Sequence, residues 1–258
     1  SLFIRHWDTW NEGLRSHIHF YNLKDKSVAD LMAGMESDSP TKPFGGDEEI
    51  CFTPDGSGVV FTAKSVSGSE EAWSTNFDLF LAAVDMSSKP ENLTRANAAW
   101  DTAPVFSPDG KTLAYLAMSR AGFEADRYRI VLRDWKSGKE RVLTEEWDRS
   151  PSSIAWDLNN KSIFAVADNL GQSSLFTVSL KDGKATTVVA KGTVSSVQVG
   201  KKAVYFGLDT LSSPVEIYSV RKDGRDRKAL TEINADQLAA ARMGEYEQFT
   251  FPGAEGDT

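Results

Sequence analysis

Cysteine is almost missing from this sequence. Cys51 stands alone, so no internal disulfide can form, and cysteine usage leaves the redox compartment open. Long apolar runs are missing too: Leu79 to Val84 and Ile163 to Ala167 fall far short of the roughly 20 residues that cross a bilayer as a helix, and no cleavable signal is read at the start. Histidine is scarce, with 3 residues, all among the first 19. Basic side chains are outnumbered 29 to 37, and the formal charge of −8 has the wrong sign for a nucleic-acid footprint. What remains, 40% hydrophobic and 26% charged residues, excludes disorder and collagen-like structure and is enough for a sizeable core.

The chain repeats itself. Phe52-Thr53-Pro54-Asp55-Gly56 followed by Val59 to Ala63 returns as Phe106-Ser107-Pro108-Asp109-Gly110 followed by Leu113 to Ala117. Weaker copies are Trp156 to Asn160 before Ile163 to Ala167, and Val197 to Lys201 before Val204 to Phe206. Each reads as one strand, a tight turn built of residues that tolerate unusual φ, and a second strand. Third strands are expected at Phe77 to Val84, Tyr128 to Trp135, Ser174 to Leu180 and Val215 to Arg221. Fourth strands are expected at Glu91 to Arg95, Glu140 to Thr144, Ala185 to Ala190 and Arg227 to Thr231, three of them carrying a recurrent Leu-Thr. A four-stranded meander cannot bury both faces alone, whereas radially stacked meanders cover one another. The expected fold is therefore all-β, a β-propeller of four-stranded antiparallel blades.

The division read from the repeats is a partial blade at 1–34, blades at 35–96, 97–147, 148–192 and 193–234, and a linker at 235–258. His17 to Leu23 and Ser27 to Met32 read as an orphan third and fourth strand, with Leu2 to Arg5 at the end of a second. Ala235 to Arg242 reads as a short helix and Gln248 to Phe251 as a strand. Four whole blades and a partial one point to an arc of a larger ring of seven or eight.

Arg5-His6-Trp7-Asp8-Thr9-Trp10, Gly13, Arg15-Ser16-His17, the Pro-Asp-Gly repeats and Trp147-Asp148-Arg149-Ser150-Pro151 together resemble the propeller domain of prolyl oligopeptidase-family serine peptidases, in the dipeptidyl aminopeptidase and acylaminoacyl peptidase branch. The segment Phe249 to Asp257 resembles the passage from propeller into an α/β-hydrolase domain. The resemblance implies that such a domain of the same polypeptide is the partner, that oligopeptides are the substrates, and that the compartment is periplasmic or secreted. This chain carries no Gly-x-Ser-x-Gly elbow and no histidine beyond residue 19, so no catalytic residue is assigned to it. The competing reading is a TolB-like propeller that binds protein or peptide with no enzyme attached. The two ends of an arc are also expected to favour self-association.

A dipeptidyl peptidase must receive a free ammonium, which calls for a desolvated carboxylate and an aromatic face. Asp8 or Glu12 with Trp7 could supply these, and Trp10 belongs to the same phrase; packing of Trp7 and Trp10 between blades with Asp8 capping a turn explains the residues equally. Glu70 and Glu71 lie in a long polar loop, Ser65 to Asn76, the place to look for contacts with substrate or with the partner domain, although a simply solvated loop also explains it. Glu48-Glu49 is a second doublet, but neighbours on a strand point to opposite faces, so neither doublet makes a catalytic pair. His17 and His19 share a strand face without a third ligand, so no metal and no cofactor is assigned. Trp100-Asp101 and Trp147-Asp148 read as matched structural pairs, the aspartate accepting from the turn that follows, and Cys51 as a small buried hydrophobe.

Overall fold

A computed structural model describes residues 5–6, 9–10 and 13–256, with side chains from residue 13 onward apart from that of 255. A hairpin pairs β1 (Arg5–His6) with β2 (Thr9–Trp10), and a two-stranded sheet pairs β3 (His19–Tyr21) with β4 (Val28–Asp30). Two antiparallel meanders follow: β5 (Ile50–Phe52), β6 (Gly58–Lys64), β7 (Phe77–Ala83) and β8 (Glu91–Asn92), then β9 (Asp101–Phe106), β10 (Thr112–Ala117), β11 (Arg129–Asp134) and β12 (Glu140–Val142). The next two are β13 (Pro151–Trp156), β14 (Ser162–Asn169), β15 (Gln172–Ser179) and β16 (Ala185–Val189), and β17 (Thr193–Val199), β18 (Ala203–Thr210), β19 (Ser213–Arg221) and β20 (Lys228–Ala229). A parallel bridge from Ser173 to Thr193 joins these last two into one continuous sheet.

The second strands of the first three meanders are largely apolar and buried on both faces, because each of these sheets is covered by a neighbour on either side. Val59, Phe61 and Ala63 of β6 pack back onto Leu31 and Met32, while Val60 packs forward onto Leu113, Tyr115 and Ala117 of β10. Ala114 and Leu116 then meet Ile163 and Ala165 of β14, and Phe164 and Val166 meet Val204, Phe206 and Leu208 of β18. The first strands β5, β9, β13 and β17 lie beside one another on the inner edge. This is the face-to-face, axis-centred stacking of a propeller. The outward set of the last sheet, Tyr205, Val215 and Ile217, stays exposed.

Two recurrent phrases acquire a mechanism. In the Pro-Asp-Gly turns, Thr53 and Ser107 hydroxyls donate to Asp55 and Asp109 at 2.7 Å and accept the N–H of Gly58 and Thr112. Gly56 and Gly110 both adopt a φ of +70°, which the turn requires. In the Leu-Thr phrases, Thr94, Thr144 and Thr231 hydroxyls accept the N–H of Leu79, Ile130 and Ile217, pinning each fourth strand to its third.

Some expectations change. Arg5 pairs forward with Trp10 instead of ending a second strand. Gln248 to Phe251 forms no strand, since it meets no sheet edge; Gln248 Nε2 donates to the Leu170 carbonyl at 2.5 Å while Phe249 and Phe251 stay exposed. The expected helix is shorter, α1 (Ala235–Ala240).

Candidate functional site

The two ends of the propeller differ. One carries the tight turns at 53–57, 107–111 and 157–161. The other carries the long connections 65–76 and 118–128, the sort of irregular segment in which binding residues concentrate. At the long-loop end, residues 68–72 form a single 3-10 turn, Gly68–Ala72, which brings the Glu70-Glu71 doublet into order. The doublet does not follow strand geometry, and its two carboxylates do different things.

Glu71 is pinned. Arg15 clasps it in a two-pronged pair, Nη1 to Oε1 at 2.9 Å and Nη2 to Oε2 at 2.7 Å, and also donates to Asp38 Oδ2 at 2.9 Å. The bonds to Glu71 chiefly, against some loss from burial, raise the Arg15 pKa further above its ordinary value. Burial works against the Asp38 carboxylate, but Lys42, the Ser16 N–H and Arg15 outweigh it and hold its carboxyl below the usual range. Half-buried Lys64 donates to the Glu71 carbonyl at 2.8 Å and lies 4.9 Å from the Phe77 ring centre; burial lowers its pKa while Glu71 and Glu124 oppose the shift.

Glu70 is exposed, and its carboxylate has no partner among the described residues. Its carbonyl accepts from Trp73 N at 3.0 Å. Trp73 is 78% exposed, unusual for an indole and a ready face for a cation. Of the remaining candidates, Trp7, Asp8 and Glu12 lie outside the described residues, and Trp10 is described only as the residue of β2 that pairs with Arg5. Glu48 is exposed and accepts the Gly46 N–H; Glu49 is buried, accepts the Thr41 N–H and hydroxyl at 2.6 Å each, and has its pKa raised by burial.

Beneath the loops, Trp100 stacks on Phe77 at 4.3 Å and meets Tyr128 edge-on. Asp101 is 0% exposed, and burial, with the charge of Asp78 adding, pushes its carboxyl up to about 8 despite bonds from Asn97 and Thr94. The donor to Asp101 Oδ1, Asn97 Nδ2 at 2.8 Å, belongs to the turn before it, not after. Trp147 meets Phe176 edge-on, but Asp148 faces solvent and meets only Arg149, so the two Trp-Asp pairs differ in their aspartates. His17 binds Asp30 at 2.9 Å, while His19 is exposed. Burial raises the Cys51 thiol to about 12.

Sequence reasoning missed Arg15, Asp38 and Trp73 as site residues. Arg15 stood in a phrase, and Trp73 in a loop, already singled out.

A concavity of about 480 Å³ lies on the opposite end between β11–β12 and β13–β14. Its floor is Leu132, Trp156 and Leu180, and its acids Asp109, Asp134 and Glu140 are taken up by turn bonds or by Arg133. It is a seam between neighbouring sheets whose polar groups already serve the turns.

No family model matches the chain. Over 142 residues it is 32% identical to dipeptidyl-peptidase 5 of Porphyromonas gingivalis, covering 54% of this chain and 20% of that protein. The chain therefore spans about a fifth of that curated relative. The acylaminoacyl peptidase of Pyrococcus horikoshii superposes with a TM-score of 0.60 at 14% identity, covering 80% of this chain and 30% of that one. A putative TolB from Agrobacterium tumefaciens superposes at 0.58 with 17% identity, covering 84% and 74%. These likenesses establish the fold as a β-propeller.

Proposed function

We propose that this chain, a β-propeller related to the propeller domains of the prolyl oligopeptidase family, is the non-catalytic part of a serine exopeptidase that admits short peptides and positions their N-terminus. In this reading an α/β-hydrolase domain of the same polypeptide supplies the nucleophile, and the propeller excludes folded proteins from it by size. Two facts carry the reading: Glu70 and Trp73 are both exposed at the two ends of one backbone hydrogen bond, Trp73 N to the Glu70 carbonyl, and Arg15 and Lys64 hold that turn through Glu71. A carboxylate beside an indole face is the chemistry that receives an ammonium, and the Arg15 clasp keeps that pair from wandering. Glu71, already neutralised, orients the turn while Glu70 makes the contact.

Calorimetric titration of the chain with tetra-alanine amide, with free or acetylated N-terminus, tests this. The free amine is expected to bind about tenfold more tightly. Glu70→Gln should remove that preference, and Trp73→Ala should reduce it. Equal binding of the acetylated peptide refutes the role of Glu70 and favours a propeller that binds peptides without regard to their ends. Turnover of a dipeptidyl chromogenic substrate by the pure chain would refute the assignment of chemistry to another domain.

A further inference from the structure

The second long connection, 118–128, brackets one guanidinium that nothing neutralises. Asp126 Oδ2 accepts the N–H groups of Ser119 and Arg120 at 2.8 and 2.9 Å and the Ser119 hydroxyl at 3.1 Å, closing the loop on itself. Burial opposes the Asp126 charge, but these donors hold its carboxyl below the usual range. Backbone bonds from Phe123 to Arg120 and from Asp126 to Phe123 tighten the same bracket. On this frame the Arg120 guanidinium lies 3.9 Å from the Phe123 ring centre, the spacing of a flat stack. A ring at that distance covers one side of the cation, while the residue as a whole stays exposed.

Most other described arginines are occupied. Arg15, Arg129, Arg133, Arg149, Arg221 and Arg225 each pair with a carboxylate, and Arg127 and Arg141 donate to carbonyls. Arg95, Arg227 and Arg242 also lack a carboxylate among the described residues, but of these only Arg227 lies over a ring, at 5.9 Å from the Tyr218 centre against 3.9 Å for Arg120. Arg120 is exposed and has neither partner among the described residues. In a chain of net charge −8, a pre-oriented, unpaired guanidinium is a specific attraction for an anion in a field that otherwise repels one.

Its position joins it to the Glu70 turn. Gly122 N donates to Thr75 Oγ1 at 2.9 Å, tying the two long loops together. Lys64, bound to the Glu71 carbonyl, feels the charges of both Glu71 and Glu124, so the loops share one electrostatic neighbourhood.

We infer that Arg120, stacked on Phe123, receives a carboxylate of the same short peptide whose ammonium is received by Glu70 and Trp73. This rests on the reading given under Proposed function and adds a second point of recognition. A carboxylate matches the guanidinium fork with two parallel N–H bonds. It can come from the peptide's C-terminus or from an aspartate or glutamate side chain.

The test titrates the chain with four peptides, each with free or acetylated N-terminus: tetra-alanine acid, tetra-alanine amide, and the amide with glutamate or glutamine at the third position. The carboxylate-bearing member of a pair is expected to bind about fivefold more tightly at low salt, the upper range for an exposed pair, with the preference shrinking as salt rises. Arg120→Ala should abolish the preference, and Arg120→Lys should retain only part of it because lysine lacks the fork. Preference in the acid–amide pair identifies the C-terminus as the source; preference in the glutamate–glutamine pair identifies the side chain. Equal binding within both pairs, or a preference that survives Arg120→Ala, overturns the inference. Loss of free-amine dependence with the carboxylate preference intact overturns the Glu70 reading alone. Failure of every peptide to bind overturns both. Thermal melting of Arg120→Ala at the wild-type temperature shows that the exposed loop has not altered the fold.

Discussion

Replacing Asp101 by asparagine should remove the part of this chain's pH-dependent stability between pH 5 and 8 that the buried Asp101 carboxyl supplies. The carboxyl is fully buried where the inner edge of β9 meets the end of β10. Asn97 spans the junction, donating to Asp101 Oδ1 at 2.8 Å and to the Met118 carbonyl at 3.0 Å, while Asp101 Oδ2 has no partner. Burial, with Asp78 adding, moves the carboxyl from 3.8 in its ordinary state to about 8 in the fold. The folded chain thus keeps a proton up to about pH 8 that the unfolded chain releases near pH 4. Across that interval the native state binds one proton more, so stability falls by about 1.4 kcal/mol for each pH unit upward. From pH 5 to 8 this is about 4 kcal/mol, a large part of the 5–15 kcal/mol that holds a typical domain folded. Asparagine keeps an acceptor for Asn97 and carries no titrating group. Urea unfolding followed by tryptophan fluorescence at pH 5, 6, 7 and 8 reads the difference. Asp55, Asp223 and Glu216, whose carboxyls hydrogen bonds hold at about 2, stay ionised throughout this window and do not confound it. Wild type should lose stability steadily relative to Asp101→Asn as pH rises. If the two run parallel, Asp101 is ionised in the fold and the argument from its burial is wrong.

Two further perturbations address the clasp at the candidate site and the turns at the opposite end. A double-mutant cycle of Arg15→Ala and Glu71→Gln should give a coupling of about 1 kcal/mol in stability, discounted because both side chains are about a quarter exposed, and it should shrink in salt; strictly additive losses would show that the clasp holds nothing. Gly183→Ala should cost more than about 3 kcal/mol, since at φ +71° its Cβ would fall 1.9 Å from the Leu143 carbonyl, whereas Gly56→Ala, at φ +70° with open space around it, should cost only the 1–2 kcal/mol of the backbone conformation. Equal losses in urea melts would mean that the neighbouring sheet moves aside without cost.

The fold was legible where chemistry repeats at short range. Pro-Asp-Gly announces its own turn, and the runs after it, apolar at nearly every position, announce strands covered on both sides. The Leu-Thr recurrence was visible as a pattern, but its meaning was not, because Thr94 accepts from Leu79 and Thr144 from Ile130 across strands whose register sequence alone does not reveal. Gln248 to Phe251 shows the opposite failure. Its composition suits a strand, yet a strand needs an edge to pair with, and this segment meets none.

The site was legible in part for a related reason. The doublet at 70–71 stood out because a long polar loop interrupting a repeat has no structural cause of its own. Which of the two acids is free was hidden, since that depends on Arg15, separated by 56 residues and brought near only when the first sheet packs on β6. Strand alternation would have sent the two carboxylates to opposite faces of a sheet. The 3-10 turn separates them differently: Glu71 points at an arginine that neutralises it, and Glu70 is left exposed. Two identical side chains, adjacent in sequence, are thereby given unequal surroundings. In the proposed reading an ammonium arriving at this end of the propeller would meet one carboxylate that is spent and one that is available, so a substitution at Glu71 should act through the order of the turn, and one at Glu70 through the contact itself.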